Sequence, residues 1–171
     1  MRGTYTIVLA CKGTIRVRFG KLGEARLAKG YYLYTGSALG RGAVSLEGRL
    51  ARHRRRSKKI RWHVDYLTTR RKCTPTAAVY VISRRRLECI INRLICDKLQ
   101  AEPILPRLGA SDCTCNGHLV RAGTKVSQPD LLNQLKRVYS RFGPSSGTFM
   151  GAESRLPALL PIASRRRPER F

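Results

Sequence analysis

The stretch KGYYLYTGSALG at residues 29–40 sets three tyrosines within four positions and runs them into a Gly-Ser-Ala-Leu-Gly segment. A phenol on a strand can handle a proton when a nearby cation lowers its pKa from about 10. It can as readily be a half-buried packing residue, the commoner fate of a strand tyrosine. Other residues decide between these readings of Tyr34. Tyr5 lies in an alternating stretch, Arg49 and His53 fall four apart in LEGRLARH, and Glu88 opens RLECIINRLICDKL. Singly these are ordinary: a solvated arginine, an uninformative histidine, and a glutamate forming a weak surface ion pair beside Arg84–Arg86. Together they hold what phosphodiester hydrolysis needs, namely an activated water, neutralised phosphate charge and help for the leaving alkoxide.

A second group of chemically capable residues lies in SDCTCNGHL. Cys113, Cys115 and His118 are zinc-ligand types, and a fourth ligand would come from Cys89, Cys96 or His63. The other reading is a tight loop packing small thiols, or a disulfide such as Cys89 to Cys113. The six cysteines lack small-scaffold spacing, so most are expected to be reduced or buried. In WHVDYL, His63 and Asp65 read either as support for a catalytic site or as a structural hydrogen-bonded pair beside a buried Trp62.

The elements that must position these groups form an α+β pattern. GTYTIVLA and TIRVRFG alternate as antiparallel strands, with Tyr5, Ile7 and Leu9 on one face, and KLGEARLAKG makes a second hairpin before YYLYTGS. Tyr32 and Tyr34 share a face, and Tyr31 lies on the other. Residues 44–56 read as a helix with Leu46 and Leu50 inward. IRWHVDYL leans helical, and TAAVYVI is a strand bounded by Pro75. RLECIINRLICDKL is a helix with Leu87, Ile90, Ile91, Leu94 and Ile95 inward. PDLLNQLKRVYSRF is an amphipathic helix capped by Ser127. These give three segments: a small antiparallel or mixed sheet flanked by helices at 1–122, a linker and amphipathic helix at 123–143, and a basic, mostly disordered tail at 144–171.

Charge points to the partner. Among 171 residues, 35 Lys and Arg face 10 Asp and Glu, a formal +25. Such an excess implies a polyanion, because each phosphate contact releases counterions. The densest cluster runs over the first helix and the loop that follows it: Arg41, Arg52, Arg54, Arg55, Arg56, Lys58, Lys59 and Arg61. No stretch approaches the ~20 apolar residues of a membrane span. The expectation is a cytoplasmic, nucleoid-associated protein that contacts nucleic acid and no membrane.

The order G-T-Y at 3–5, Y-T-G at 34–36, R-x-x-x-H at 49–53 and a helical Glu at 88 resembles the GIY-YIG nuclease superfamily. KGYYLYTGSALG, LEGRLARH, WHVDYL, LEC and SDCTCNGHL are closest to an uncharacterised archaeal and bacterial subfamily, sometimes fused to endonuclease III-type repair glycosylases. The resemblance spans about residues 3–122. It implies a DNA endonuclease acting in repair or on structured or damaged DNA. Mg²⁺ or Mn²⁺ would sit on Glu88, Arg49 would hold the scissile phosphate, and Tyr5 and Tyr34 would be the site phenols, Tyr5 the general base. His53 would be a proton relay or phosphate contact. Gly36 would make the turn or close approach that follows the strand, with Ser37 capping that turn or bonding a phosphate. Many superfamily nucleases carry an Asn a dozen residues past the Glu. QAEPILPRLG has none, and Asn116 or Asp112 would stand in. A repair glycosylase is an implied partner. The alternative is a catalytically idle scaffold that binds structured RNA or the ribosome.

Overall fold

A computed structural model describes residues 1–122, 126–143 and 146–150. Its centre is β1 (Gly3–Cys11), whose alternating side chains are buried on both faces. That double burial requires a middle strand, and β1 pairs antiparallel with β4 (Gly30–Ala38) and with β5 (Cys73–Ile82). The sheet is six-stranded and antiparallel in every pairing. It is completed by β6 (Glu102–Pro103), β7 (Leu119–Arg121) and β8 (Ser146–Met150) in the order β6-β7-β4-β1-β5-β8. A separate hairpin joins β2 (Ile15–Arg18) to β3 (Glu24–Leu27). The α+β expectation holds.

Two cores follow from the period-two pattern. On one face Tyr5, Ile7, Leu9, Tyr32 and Tyr34 pack against Leu46 and Leu50 of α1 (Leu46–Arg54) and Leu67 of α2 (Asp65–Thr68). On the other, Val8, Leu33, Val79 and Val81 meet Ile91 and Ile95 of α3 (Glu88–Leu99) and five residues of α4 (Gln128–Tyr139). Tyr31 packs on this second face, as its parity predicts.

Local chemistry sets the ends of the helices. The Ser45 hydroxyl accepts from Gly48 N at 3.1 Å to start α1, and Arg52 and Arg54 occupy the last turn, where the helix dipole favours cations. Ser127 caps α4, accepting from Asp130 N. The N-terminus of α3 has no side-chain cap of its own, and the Thr4 hydroxyl of β1 accepts from Leu87 N at 3.3 Å instead.

Several expectations are corrected. Ile90 is 54% exposed rather than inward, because α3 buries its Glu88–Ile91–Asn92–Ile95 stripe. Pro75 lies inside β5 rather than at its boundary, since the β1–β5 register shifts between Val8 and Leu9 beside it and spares the missing N–H. The residues at 146–150 form the edge strand beside β5, not the start of a disordered tail, and α4 shares the core of the sheet instead of standing apart from it. Residues 151–171, the rest of the expected tail, lie outside the described residues.

The cysteines divide into two groups. Cys11 and Cys73 are register partners on β1 and β5 and form a disulfide, while Cys89, Cys96, Cys113 and Cys115 are free. The Cys89–Cys113 disulfide alternative is thereby replaced. Among the described residues no helix is long and apolar enough to cross a membrane.

Candidate functional site

β7 pairs with β4 only at Tyr32, Leu33 and Tyr34. Toward Gly36 one further bond, Thr35 N to His118 O at 3.0 Å, closes that edge, and beyond it the Gly36–Ser37 side of β4 lies open. Through this gap elements from both faces of the sheet reach one cleft of about 330 Å³. β4 supplies Tyr34, Gly36 and Ser37, α1 supplies Arg49, and the segment before α2 supplies Arg61, Trp62 and His63. Glu88 comes from α3 and Arg86 from the segment before it, while Gly109, Ser111 and Asp112 come from the loop before β7.

Three of the four residues expected to converge, Tyr34, Arg49 and Glu88, line this cleft. Tyr5 does not: it is fully enclosed behind Gly36. Gly36 is the register partner of Tyr5, and a Cβ there would lie 3.0 Å from the Tyr5 hydroxyl and 3.3 Å from the Tyr34 ring. The glycine is needed for close approach of the two phenols. Gly36 and Ser37 are strand residues rather than a turn, since β4 continues to Ala38. The Ser37 hydroxyl meets Thr4 at 3.0 Å instead of capping a turn.

The Tyr5 hydroxyl lies 2.8 Å from His53 Nε2. Burial pushes this phenol up to about 12, against the lowering effect of the Arg49 guanidinium. A general base must reach the water it deprotonates, and the Tyr5 hydroxyl is turned to His53 inside the wall rather than to the cleft. Burial, reinforced by Tyr5, raises Tyr34 further still. His53 is enclosed too, which removes the phosphate-contact reading. Its burial, together with the positive charge of Lys58, depresses it to about 3 despite Asp65. It is therefore neutral, with Nδ1 buried and lacking a hydrogen-bond partner.

Cations are fixed before any ligand arrives. Arg49 and Arg52 lie over Trp62, at 4.7 and 4.8 Å from its ring centroid, and Trp62 is half-buried rather than buried. Asp65 accepts from Arg52 at 2.7 Å and from Arg61 N and Trp62 N at 3.0 and 3.1 Å, and it pairs with Lys58 at 3.2 Å. Burial alone would raise this carboxyl, but those donors outweigh it and hold the pKa below the usual carboxylate range. Asp65 and His63 are not bonded to each other. Asp65 organises the basic loop, and His63 Nδ1 accepts from Gly109 N at 3.2 Å.

The basic cluster is correspondingly divided. Lys58 is almost wholly buried and Arg52 is committed to Asp65 and to the Lys59 carbonyl, so neither is the exposed phosphate contact expected. Arg41, Arg54, Arg55, Arg56, Lys59 and Arg61 are exposed, Arg56 also donating to Thr74. Sequence reasoning passed over Arg86 as part of a basic run. Its Nε meets Glu88 Oε1 at 3.0 Å and its other arm holds Asp112. Of the two residues considered in place of the missing Asn, Asp112 reaches the cleft and Asn116 is not among its lining residues. Thr4 was also overlooked, although its parity opposite Tyr5 aims it at α3.

Beside the cleft, Cys89, Cys113, Cys115 and His118 bring their ligand atoms within 4.8 Å of one another, a cluster that could hold a metal ion. Cys96 and His63, the other candidates for a fourth ligand, are outside it.

The fold and site thus define an antiparallel α+β domain with a cationic, single-glutamate cleft at a gap in its sheet and a Cys₃His cluster alongside. The chain matches the family "Domain of unknown function DUF123" over residues 4–142 and belongs to that family. This span takes in α4, consistent with the shared core. No curated protein and no solved structure matches the chain.

Proposed function

We propose that this protein is a divalent-metal-dependent DNA endonuclease of the GIY-YIG type, acting in repair or on structured or damaged DNA in the nucleoid. The observation that carries the reading is the convergence of Tyr34, Arg49 and Glu88 on one open cleft from three different elements. Glu88 lines the cleft as a largely buried carboxylate, with Asp112 tied to it through Arg86. One or two carboxylates plus water is the donor set that suits Mg²⁺ or Mn²⁺. Held there, the cation would supply Lewis-acid stabilisation of the phosphoryl oxygen and leaving alkoxide.

The residues of the chain divide the remaining work. Arg49, with its guanidinium set by Trp62, receives the scissile phosphate and offsets charge that grows in the transition state. Arg61 borders the same cleft and meets a flanking phosphate, while Arg86 stays paired with Glu88 and Asp112 at its wall. Tyr34 is the phenol at the wall. Its raised pKa keeps it protonated, so it orients the attacking water and a phosphate oxygen by hydrogen bonding. The Tyr5–His53 pair lies behind and fixes the wall.

A panel of nicked, flapped, abasic, uracil-containing and branched DNAs, incubated with Mg²⁺ or Mn²⁺, tests this. Glu88→Gln and Arg49→Ala are expected to abolish nicking while DNA affinity stays within a few-fold. Normal cutting by both variants would show that the site is wrongly assigned. The second reading, an idle scaffold on structured RNA or the ribosome, draws support from the enclosure of Tyr5 and from the hold of Arg86 on Glu88. Co-sedimentation with ribosomal particles, without metal-dependent cleavage of any DNA form, would favour it.

A further inference from the structure

We infer that Cys89, Cys113, Cys115 and His118 form a structural zinc site that fastens the first turn of α3 to the loop before β7. The inference does not depend on the nuclease reading. Three thiolates and an imidazole are soft and borderline ligands that select zinc over magnesium, and four protein ligands make a closed, structural set. The geometry agrees. With Zn–S at about 2.3 Å and Zn–N at about 2.1 Å, tetrahedral angles put a sulfur and a nitrogen about 3.6 Å apart. Cys113 Sγ and His118 Nε2 are 3.6 Å apart, and all four ligand atoms fall within 4.8 Å of one another.

The surroundings hold these ligands in place. His118 is buried, its backbone N–H donates to Leu108 O at 2.8 Å and its backbone carbonyl accepts from Thr35 N of β4. Asn92, one turn along α3 from Cys89, donates to Gly117 O at 2.8 Å. The Arg107 side chain donates to the Cys113 carbonyl. Binding exchanges three thiol protons for one Zn²⁺, leaving a centre of net charge −1, and the Arg93 charge reaches Cys115 to offset it.

The consequence is mechanical. Cys89 is adjacent in sequence to Glu88, and Cys113 is adjacent to Asp112, so one tetrahedron joins the two segments that bring both carboxylates to the cleft.

Elemental analysis of the purified full chain is expected to give about one zinc per chain. Cys113→Ser and Cys115→Ser should each lower this by more than half. Cys96→Ser, a free cysteine outside the cluster, should retain it. Because the variants can fold poorly, the wild-type chain carries a second test. Replacement of zinc by Co²⁺ should give the intense visible absorption of a tetrahedral thiolate site. Hydrogen exchange after chelation should rise around residues 88–92 and 108–118 while β1 and β5 stay protected. A zinc content near zero, a pale octahedral cobalt spectrum, equal zinc loss in Cys96→Ser, or a disulfide linking Cys89 to Cys113 or Cys115 in peptide mapping would each overturn the proposal.

Discussion

His53 is a residue whose burial has a measurable cost in acid. Its pKa falls from about 6.5 in the unfolded chain to about 3 in the fold. Between these values the unfolded chain binds the extra proton, so stability falls as pH drops from 6.5 towards 3, by up to about 1.4 kcal/mol per unit. His63, also lowered by burial, acts in the same direction. Urea unfolding at pH 7, 5.5 and 4 should therefore show a steep loss of stability, and His53→Gln should make it clearly shallower. An unchanged slope would mean that His53 is not neutral and enclosed. Asp65 gives a separate signal of the other type. Its depressed pKa contributes stability that is present above about 3.9 and is lost only as pH falls through the lower folded value. Asp65→Asn leaves Lys58 buried without its counter-charge, and a loss of about 3 kcal/mol is expected in the same unfolding experiment at pH 7.

At the scale of elements, the Cys11–Cys73 disulfide staples the central strand to β5 across a sequence separation of 62 residues. A closed loop of that length restricts the unfolded chain by about 4 kcal/mol. The Cys11→Ala/Cys73→Ala double variant should lose up to that amount in urea titration while keeping its zinc content, and a loss below about 1 kcal/mol would show that the staple contributes little. Sequence periodicity could not find this pair, because partnership between residues 11 and 73 depends on the β1–β5 register. It could find β1, β4, α1, α3 and α4, whose apolar spacing is set by burial on a known face. The cleft was legible only in part. Tyr34, Arg49 and Glu88 lie in ordered motifs, but the enclosure of Tyr5 follows from the closeness of β4 at Gly36. The roles of Arg86 and Asp112 arise where separate loops meet. Lys58 looked like a phosphate contact because charge in a sequence carries no record of burial.

Across the whole molecule, the excess of positive charge sets how strongly any nucleic acid is held, but only cations free to reach phosphate contribute to its salt dependence. The exposed Lys59 and Arg61 follow α1, and Arg61 borders the cleft, whereas the neighbouring Lys58 is turned inward to Asp65. In fluorescence-anisotropy titrations against duplex DNA, Lys59→Ala and Arg61→Ala should each reduce the slope of log affinity against log salt by roughly one. Lys58→Ala should leave that slope unchanged and instead lower the unfolding midpoint, since Asp65 then loses one of its buried partners. On the proposed reading these cations meet phosphate rather than base edges, so the losses should be uniform across DNA sequences. Equal slopes for wild type, Lys59→Ala and Arg61→Ala would place the phosphate path on another face. A reduced slope in Lys58→Ala would mean that the loop before α2 opens on binding and that Asp65 releases its lysine to the DNA.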